Sequence, residues 1–313
     1  MTLYDLSAPA KLNLFLHVVG RRADGYHLLQ SVFRLVSLSD SITIDIRRDG
    51  LISIETNYGS DVDPSQDLAA KAARLLQEKT GCGLGAHLHV TKRIPMGGGL
   101  GGGSSDAATV LMALNRLWRL GLNRSALSQL GFGLGADVPF FINGCNAFVE
   151  GVGELLSAVS LQDASYLIFK PPVAVPTPAI FGCSDLTRNS ETVKISDFSG
   201  RARFIGSKTG LKTTEFQGFG KNDLEPVARK LYPEVDKAMH WAVEQGFDVR
   251  LSGSGGCFFS EYESPERASL ARARLVGKIQ LDRVNGVAPV AAIDEISACD
   301  GWPEHPLRHW IDD

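Results

Sequence analysis

The sequence is poor in the features that mark secreted, zinc-binding or membrane proteins. Its five cysteines are scattered and never form a Cys-x-x-Cys pair, which argues against a disulfide framework and against a zinc site. The apolar run near the start is short, is interrupted by Lys11, Asn13 and His17, and lacks the cleavage site of a signal peptide. No segment approaches the roughly 20 apolar residues that span a bilayer. We therefore expect a cytoplasmic protein that does not bind membranes.

An excess of charge of one sign is also missing. The chain has 32 lysines and arginines against 35 aspartates and glutamates, a net charge of -3, which is too weak a field to favour nucleic acid as a partner. His87 and His89 share a strand face, but without a third ligand nearby they predict no metal site. The length of 313 residues exceeds most single hydrophobic cores, so two domains are expected.

Hydrophobic periodicity predicts a mixture of strands and helices. The segment KLNLFLHV alternates, with Leu12 and Leu14 on one face and Lys11 and Asn13 on the other, which predicts a strand with one buried face. The segments SVFRLVSL and DSITIDIRR predict further antiparallel strands. Helical spacing covers residues 66–79 and a second stretch that follows a Ser104 or Ser105 N-cap.

The most unusual segment is PMGGGLGGGSSDAA, which has six glycines among the seven residues from Gly97 to Gly103. It lies between a predicted strand and a predicted helix, where unpaired backbone N–H groups and the helix dipole favour a phosphate. No Lys-Ser/Thr pair follows, so it is not a P-loop, and the antiparallel surroundings argue against a Rossmann site. The alternative is a flexible surface loop, which Pro95 and the capped helix disfavour.

Four segments, SAPAKLNLFL, PMGGGLGGGSSDAA, LGADVPFF and LSGSGGCFF, occur in this order and resemble the signature motifs of the GHMP kinases. The spellings AKLNLFLHVVGRRADGYH, EGVGE, PTPAIF and NDLEPVA are similar to the branch that phosphorylates the 2-hydroxyl of 4-diphosphocytidyl-2-C-methyl-D-erythritol in non-mevalonate isoprenoid biosynthesis. The resemblance covers roughly residues 7–259, whereas residues 187–217 and the tail match poorly.

This resemblance implies an α+β fold with the two-domain GHMP kinase architecture. A ribosomal-S5-domain-2-like, ATP-binding domain is expected over residues 1–160. A ferredoxin-like α+β domain is expected over residues 161–313, with a poorly matched tail from about residue 292. The active site is expected in the cleft between the two domains.

Asp137 in GADVPFF is the candidate catalytic base, a role that the resemblance also implies. Its alternative is an Asx turn or an N-cap before Pro139. Lys11 can pair with Asp137 and keep the carboxylate ionised, although a solvated strand lysine is the commoner situation. Asn13 lies on the same face of the strand and suits a hydrogen bond to the substrate.

Tyr26 and His27 follow an Asp24-Gly25 turn and offer a flat ring and an imidazole, which suit a nucleobase. The alternative for Tyr26 is packing at a rim. The resemblance implies that these two residues hold cytosine, with Phe181 on its other side. It also places the second glycine turn, including Gly253, Ser254 and Gly255, beside the phosphates and the substrate diphosphate.

ATP is expected as its Mg²⁺ complex, with the phosphates on the glycine loop. Asp67 stands where the family usually has asparagine; it can accept from an adenine amino group but cannot also donate, so it is not assigned to ATP. Ser105 or Asp137 is expected to contact the magnesium ion, and no carboxylate cluster predicts a tightly held metal. The predicted ATP-binding residues are Lys92, Pro95, Met96, Gly97, Gly98, Gly99, Leu100, Gly101, Gly102, Gly103, Ser104 and Ser105.

Two other functions remain open at this point. A sibling kinase of the homoserine or mevalonate type would share the phosphate-binding features, but the Tyr26-His27 loop and Phe181 argue against it. A non-catalytic nucleotide-binding or RNA-binding protein is disfavoured by Lys11, Asp137 and the acidic net charge. We expect a monomer or a weak homodimer.

Overall fold

A computed structural model of the chain describes residues 2–57, 65–194, 221–284 and 293–313. Part of the polar region over residues 187–217 lies outside these ranges. Within them the protein forms strands and helices of mixed order, so the predicted α+β class is confirmed. The strands are β1 Thr2–Arg21, β2 His27–Arg47, β3 Ile52–Thr56, β4 Gly85–Thr91, β5 Ala147–Glu150, β6 Leu155–Ala158, β7 Ser165–Lys170, β8 Arg250–Leu251, β9 Phe258–Tyr262 and β10 Glu295–Trp302.

The helices cover the sheet and carry several of the predicted site residues at their ends. A short 3₁₀ turn, Arg308–Trp310, follows the last strand. In the part of the chain that the structure describes, the α-helices are α1 Leu68–Thr80, α2 Gly102–Leu117, α3 Arg124–Phe132, α4 Val138–Asn143, α5 Thr177–Gly182, α6 Glu225–Leu231, α7 Pro233–Glu244 and α8 Pro265–Val284. No helix of the described ranges is long and apolar enough to cross a bilayer.

The strands form one sheet in the order β3-β4-β2-β10-β7-β9-β8, with β1 and β5 also paired to β2 and β6 paired to β5. Strand β3 runs parallel to β4, while β1 and β2 form a long antiparallel hairpin. The predicted Asp24-Gly25 turn closes this hairpin, since Arg22 N–H donates to the Tyr26 carbonyl at 2.7 Å and Gly25 has a φ of 94°. The hairpin thus brings Tyr26 and His27 to one end of β1 and β2.

Strand β1 is buried on both faces, so the prediction of a single buried face is wrong. The apolar face, which includes Leu12 and Leu14, packs in a core with residues of the C-terminal half. Lys11 and Asn13 on the opposite face are only 4% and 2% exposed. Alternation of polar and apolar residues could not reveal this, because the polar face is covered by segments distant in sequence.

The second correction concerns the start of α2. The helix begins at Gly102 after Gly101, whose φ of 72° is left-handed, and Ser104 and Ser105 are therefore inside the helix and not its N-cap. Because glycine has a low helix propensity, the sequence predicted that the helix starts only after the last glycine. Left-handed backbone is accessible to glycine, however, and it turns the chain into the helix here.

The C-terminal tail belongs structurally with the N-terminal half. Strand β10 pairs with both β7 and β2, and Leu307 and Ile311 pack in the same core as α2. His305 fixes this connection, because Leu307 N–H donates to its Nδ1 at 3.0 Å and its Nε2 lies 3.2 Å from Thr109 Oγ1 on α2. The predicted domain boundary near residue 160 stays a prediction. The C-terminal tail nevertheless packs against the N-terminal half.

His305 makes the stability of this connection depend on pH. Burial lowers the pKa of His305 to about 3, whereas a histidine in an unfolded chain titrates near 6.5. Below that pH the unfolded state binds a proton that the folded state does not, so the free energy of unfolding falls as the pH drops from 6.5 toward 3. We expect His305 to cost about 2 kcal/mol of stability between pH 7 and pH 5. Urea unfolding at both pH values should show a smaller decrease for His305→Gln, and equal decreases would contradict the assignment.

Candidate active site

The glycine loop is held by its carbonyl groups. The Gly97 carbonyl accepts from Gly256 N–H at 3.3 Å, the Gly98 carbonyl accepts from Cys257 N–H at 3.1 Å, and the Leu100 carbonyl accepts from Lys11 N–H at 2.9 Å. The first-turn N–H groups of α2 have no acceptor inside their own helix. The carbonyl groups of the loop are therefore hydrogen-bonded within the protein. The N–H groups of the first turn of α2, at the positive end of the helix dipole, are left free to bind a ligand in the cavity.

Several of the glycines are required by the protein itself. A Cβ on Gly99 would lie 2.2 Å from the Ser252 carbonyl oxygen, and one on Gly98 would lie 2.5 Å from Cys257 Sγ. Gly99 also has a φ of 74°, a left-handed conformation that disfavours side chains. The close approach of the second glycine turn, residues 252–257, thus excludes side chains from the first.

A cavity of about 460 Å³ lies between the two glycine turns and β1, within the usual size of a small-molecule site. The described lining includes Pro95, Met96, the whole run from Gly97 to Gly103, Ser104, Gly253 and Ser254. From the other segments it includes Lys11, Asn13, Lys92, Asp137 and Phe181. The structure therefore brings most of the predicted site residues to one cavity.

Four predicted residues do not belong to this described lining, namely Ser105, Gly255, Tyr26 and His27. Ser105 is fully buried, because the early start of α2 points Ser104 toward the cavity and rotates Ser105 by about 100° into the core. The Gly255 N–H donates to the Ser252 carbonyl within its own turn. The magnesium contact expected of Ser105 stays a prediction, and the burial of its side chain does not favour it.

Lys11 is enclosed by polar and aromatic groups. Its Nζ lies 2.5 Å from Asn13 Oδ1, 3.5 Å from Asp137 Oδ2 and 4.6 Å from the centre of the Phe33 ring. Asp137 occupies the position before α4, but its side chain makes no capping hydrogen bond to the described residues. Asp137 thus faces Lys11 and the cavity, and the capping alternative is not what the geometry supports.

Asn13 is oriented by residues that the sequence did not suggest. Its Nδ2 donates to Ser31 Oγ at 3.0 Å, and its backbone N–H donates to Ser252 Oγ at 3.3 Å. Ser252 Oγ in turn donates to the Gly99 carbonyl at 3.2 Å. Strand β1, the glycine loop and the second glycine turn therefore meet at one serine.

Lys92 lies beneath α2 between two buried carboxylates. Its Nζ contacts Asp40 and also Asp106 Oδ2 at 2.5 Å, and Asp40 Oδ1 accepts from Ile94 N–H at 2.8 Å. Burial raises the pKa of Asp106 to about 8, although the Lys92 ammonium opposes the rise. The sequence did not predict the ion pair between Asp40 and Lys92, because the two residues are far apart in the chain and only the fold brings them together.

Of the predicted aromatic residues, Phe181 lines the cavity, and the His27 ring lies against it. The rings of His27 and Phe181 are 5.0 Å apart and inclined by 35°, while Tyr26 is 65% exposed on the neighbouring turn. Arg188 Nε donates to His27 Nε2 at 3.0 Å. Burial, followed by the charge of Arg188, lowers the pKa of His27. Arg188 carried no sequence signal, because it lies at the start of the polar region over residues 187–217, which shows no periodicity.

The second glycine turn is anchored from the NDLEPVA segment. Asn222 Nδ2 donates to the Leu251 carbonyl at 3.0 Å and to the Gly253 carbonyl at 2.7 Å, and Leu224 N–H donates to its Oδ1 at 2.9 Å. Ser254 Oγ lies 2.7 Å from Thr177 Oγ1 at the start of α5. These bonds fix the turn against the cavity.

The remaining predictions concern Asp67 and the histidine pair. Asp67 caps α1, with Oδ1 accepting from Ala69 N–H at 2.7 Å, and it also lines the cavity. His87 Nδ1 lies 2.9 Å from Ser53 Oγ, and His89 is 3.7 Å from Glu55. Among the described residues no group of three or more histidine, cysteine, aspartate or glutamate side chains could hold a metal ion.

The contact between the two glycine turns predicts unequal effects of alanine within one loop. Gly99→Ala should lower the free energy of unfolding by about 3 kcal/mol, because it adds overpacking to left-handed strain. Gly103→Ala is the matched control, since its Cβ would meet only Leu68 Cδ1 at 3.3 Å, and it should cost less than about 1 kcal/mol. Chemical unfolding of the two variants without ligand measures the difference. Equal losses would contradict the interlocking of the turns.

Comparison with known proteins gives a consistent family. Residues 67–145 match the protein family described as "GHMP kinases N terminal domain", and residues 210–279 match the family described as "GHMP kinases C terminal". The chain is 50% identical over 311 residues to the 4-diphosphocytidyl-2-C-methyl-D-erythritol kinase of Bordetella bronchiseptica, covering 99% of both chains. It is 46% identical to the protein of the same name from Aromatoleum aromaticum, covering 99% of this chain and 97% of that one.

Solved structures agree with the sequence relatives. A crystal structure of 4-(cytidine 5'-diphospho)-2C-methyl-D-erythritol kinase is 31% identical, covers 96% of this chain and 99% of its own, and has a TM-score of 0.74. Mevalonate kinase of L. major, at 15% identity, a TM-score of 0.64 and 97% coverage of both chains, shares the fold alone. The chain has the two-domain GHMP kinase fold and belongs to the 4-diphosphocytidyl-2-C-methyl-D-erythritol kinase family.

Proposed function

We propose that the protein transfers the γ-phosphoryl group of ATP to the 2-hydroxyl of 4-diphosphocytidyl-2-C-methyl-D-erythritol, giving the 2-phosphate and ADP in non-mevalonate isoprenoid biosynthesis. The observation that carries the proposal is the Lys11–Asp137 ion pair at 3.5 Å. It lies on the wall of the cavity that the glycine loop also lines. A base and a phosphate cradle in one cavity are the parts that phosphoryl transfer to an alcohol requires.

ATP enters this scheme as its magnesium complex. The N–H groups of the first turn of α2 receive the phosphates, and the helix dipole favours their negative charge. A magnesium ion carried by a nucleotide needs only one or two protein oxygens, because phosphates and water complete its coordination. Ser104 and Asp137 line the cavity and are the oxygen donors that we assign to it.

Asp137 acts as the base for the acceptor. Its carboxylate takes the proton of the 2-hydroxyl as the hydroxyl oxygen forms a bond to the γ-phosphorus and the bond from phosphorus to the β-phosphate oxygen breaks. The Lys11 ammonium holds Asp137 in position and stabilises the negative charge that develops on the acceptor oxygen. Asn13 Oδ1, at 2.5 Å from Lys11 Nζ, keeps the ammonium directed at the reaction centre.

The cytidine diphosphate end of the acceptor is assigned to the part of the site where Phe181 lines the cavity and contacts His27. Tyr26 and Phe181 are assigned to the faces of the cytosine ring and His27 to its polar edge, since aromatic faces and an imidazole suit a nucleobase. The turn with Gly253, Ser254 and Gly255 is assigned to the diphosphate. The adjacent rings of His27 and Phe181 support this assignment.

The same features separate the proposal from its alternatives. Homoserine and mevalonate carry no nucleobase. In a kinase of either type, the adjacent His27 and Phe181 rings would have no nucleobase to bind. A non-catalytic nucleotide-binding protein needs no buried lysine paired with a carboxylate. We further propose that the enzyme acts in the cytoplasm as a monomer or weak homodimer and binds neither nucleic acid nor membrane.

Replacing the catalytic base Asp137 or its partner Lys11 should strongly lower turnover. Asp137→Asn keeps the shape of the side chain but cannot accept the proton, so kcat should fall by about 10²- to 10⁴-fold with little change in the KM of ATP. Lys11→Met should lower kcat by a similar factor. Steady-state ADP release measures both variants, with circular dichroism as the control for folding. Turnover near that of the wild type in either folded variant would contradict the assigned chemistry.

The choice of acceptor distinguishes this kinase from its siblings. Cytidine diphosphate should raise the unfolding temperature, whereas homoserine and mevalonate should leave it unchanged, because a ligand stabilises only the state that binds it. ADP should be released with 4-diphosphocytidyl-2-C-methyl-D-erythritol and not with the two smaller alcohols. Activity on mevalonate or homoserine alone would replace the proposed substrate. ATP hydrolysis independent of any acceptor would favour the non-catalytic alternative.

A further inference from the structure

Arg188 is hydrogen-bonded to both His27 and Phe181, two of the residues assigned to the cytosine ring. Its NH2 group donates to the carbonyls of Phe181 and Cys183 at 3.2 and 2.7 Å, and NH1 donates to the Leu186 carbonyl at 3.0 Å. Its Nε donates to His27 Nε2 at 3.0 Å. One planar guanidinium therefore fixes the end of α5, which carries Phe181, and the ring of His27 together.

This contact determines which nitrogen of His27 carries the hydrogen. A guanidinium has donors and no acceptor, so the His27 Nε2 that faces it must accept. In a neutral imidazole with an accepting Nε2, the hydrogen is on Nδ1. Burial, followed by the charges of Arg188 and Arg21, lowers the pKa of His27, so the ring is neutral at neutral pH. His27 therefore offers a donor at Nδ1.

A donor at Nδ1 distinguishes two pyrimidines of the same size. Cytosine has an unprotonated N3, which accepts a hydrogen bond, whereas uracil has an N3–H group, which would oppose the Nδ1–H. A site that offers the wrong hydrogen-bonding group discriminates strongly, because a buried polar group is left unpaired. Shape alone separates the two bases poorly, since both stack equally well between aromatic rings.

We infer that Arg188 is a specificity-determining positioning residue, which holds His27 as the Nδ1–H tautomer beside Phe181 and so selects cytosine over uracil in the acceptor. This inference rests on the proposed function. Lysine could not replace Arg188, because a single ammonium cannot reach His27 and the α5 carbonyls in one plane. Arg188 touches neither reacting atom, so its loss should affect recognition of the base and leave the chemistry intact.

The tautomer can be measured directly in the wild-type enzyme. Nitrogen-15 NMR of the imidazoles, with the His27 signals identified by their loss in His27→Gln, should show a protonated Nδ1 and an unprotonated Nε2. Arg188→Met should convert these signals to a mixture of both tautomers. A wild-type His27 with the hydrogen on Nε2 would overturn the inference, whether or not any variant folds.

Kinetics test the consequence for the substrate. The ratio of kcat/KM for the cytidine-linked acceptor to that for its uridine-linked analogue should fall about ten- to a hundredfold in Arg188→Met and in Arg188→Lys, because a His27 that can carry its hydrogen on either nitrogen no longer leaves a buried polar group unpaired opposite uracil. The kcat with the cytidine acceptor and the KM of ATP should change less than about threefold. Arg229→Met on α6 is the matched control, because Arg229 pairs with Asp236 away from the cavity.

The outcomes separate the inference from the proposed function. An unchanged ratio in the folded Arg188 variants would overturn the inference while leaving the kinase intact. A wild-type enzyme that does not phosphorylate the cytidine-linked acceptor would overturn the proposed function, and the NMR measurement would still decide the tautomer. A parallel loss of kcat with ATP and both acceptors would assign Arg188 a merely structural role.

Discussion

Two glycine turns that lie directly against each other determine the geometry of the cleft. Cys257 N–H donates to the Gly98 carbonyl, and Ser252 Oγ links the Gly99 carbonyl to the backbone of Asn13. These bonds bring the two turns so close that no side chain fits at Gly98 or Gly99. The first turn of α2, the second glycine turn and strand β1 are thereby held in one arrangement.

This arrangement gives Lys11 its properties. An ammonium buried to this degree would be costly without partners, and Asn13, Asp137 and the Phe33 ring supply them. Charges interact more strongly away from water, so the Lys11–Asp137 pair acts at close range on whatever the cavity holds. The C-terminal tail contributes at a distance, since His305 attaches it to α2, the helix that begins at the glycine loop.

The sequence predicted the parts of the site that depend on residue type and local order. The glycine run, the alternation around Lys11 and the Asp24-Gly25 turn each encode their structure within a few residues. The start of α2, the burial of the Lys11 face and the carboxylates around Lys92 were wrong or missed. The burial of the Lys11 face and the contact of Asp40 with Lys92 depend on segments far apart in the chain, and periodicity carries no such information. The start of α2 depends instead on the left-handed backbone of Gly101. The pairing of Asp137 with Lys11 was predicted with the help of the resemblance to GHMP kinases, because the residue pattern alone does not bring these two segments together.

The most direct test of the account is a structure of the enzyme with a non-hydrolysable ATP analogue and 4-diphosphocytidyl-2-C-methyl-D-erythritol. The distance from the acceptor's 2-hydroxyl oxygen to the Asp137 carboxylate should be that of a hydrogen bond, about 3 Å, with the γ-phosphorus in line beyond the hydroxyl. A 2-hydroxyl bound by another side chain, with Asp137 out of reach, would contradict the assignment of Lys11 and Asp137 as the reaction centre.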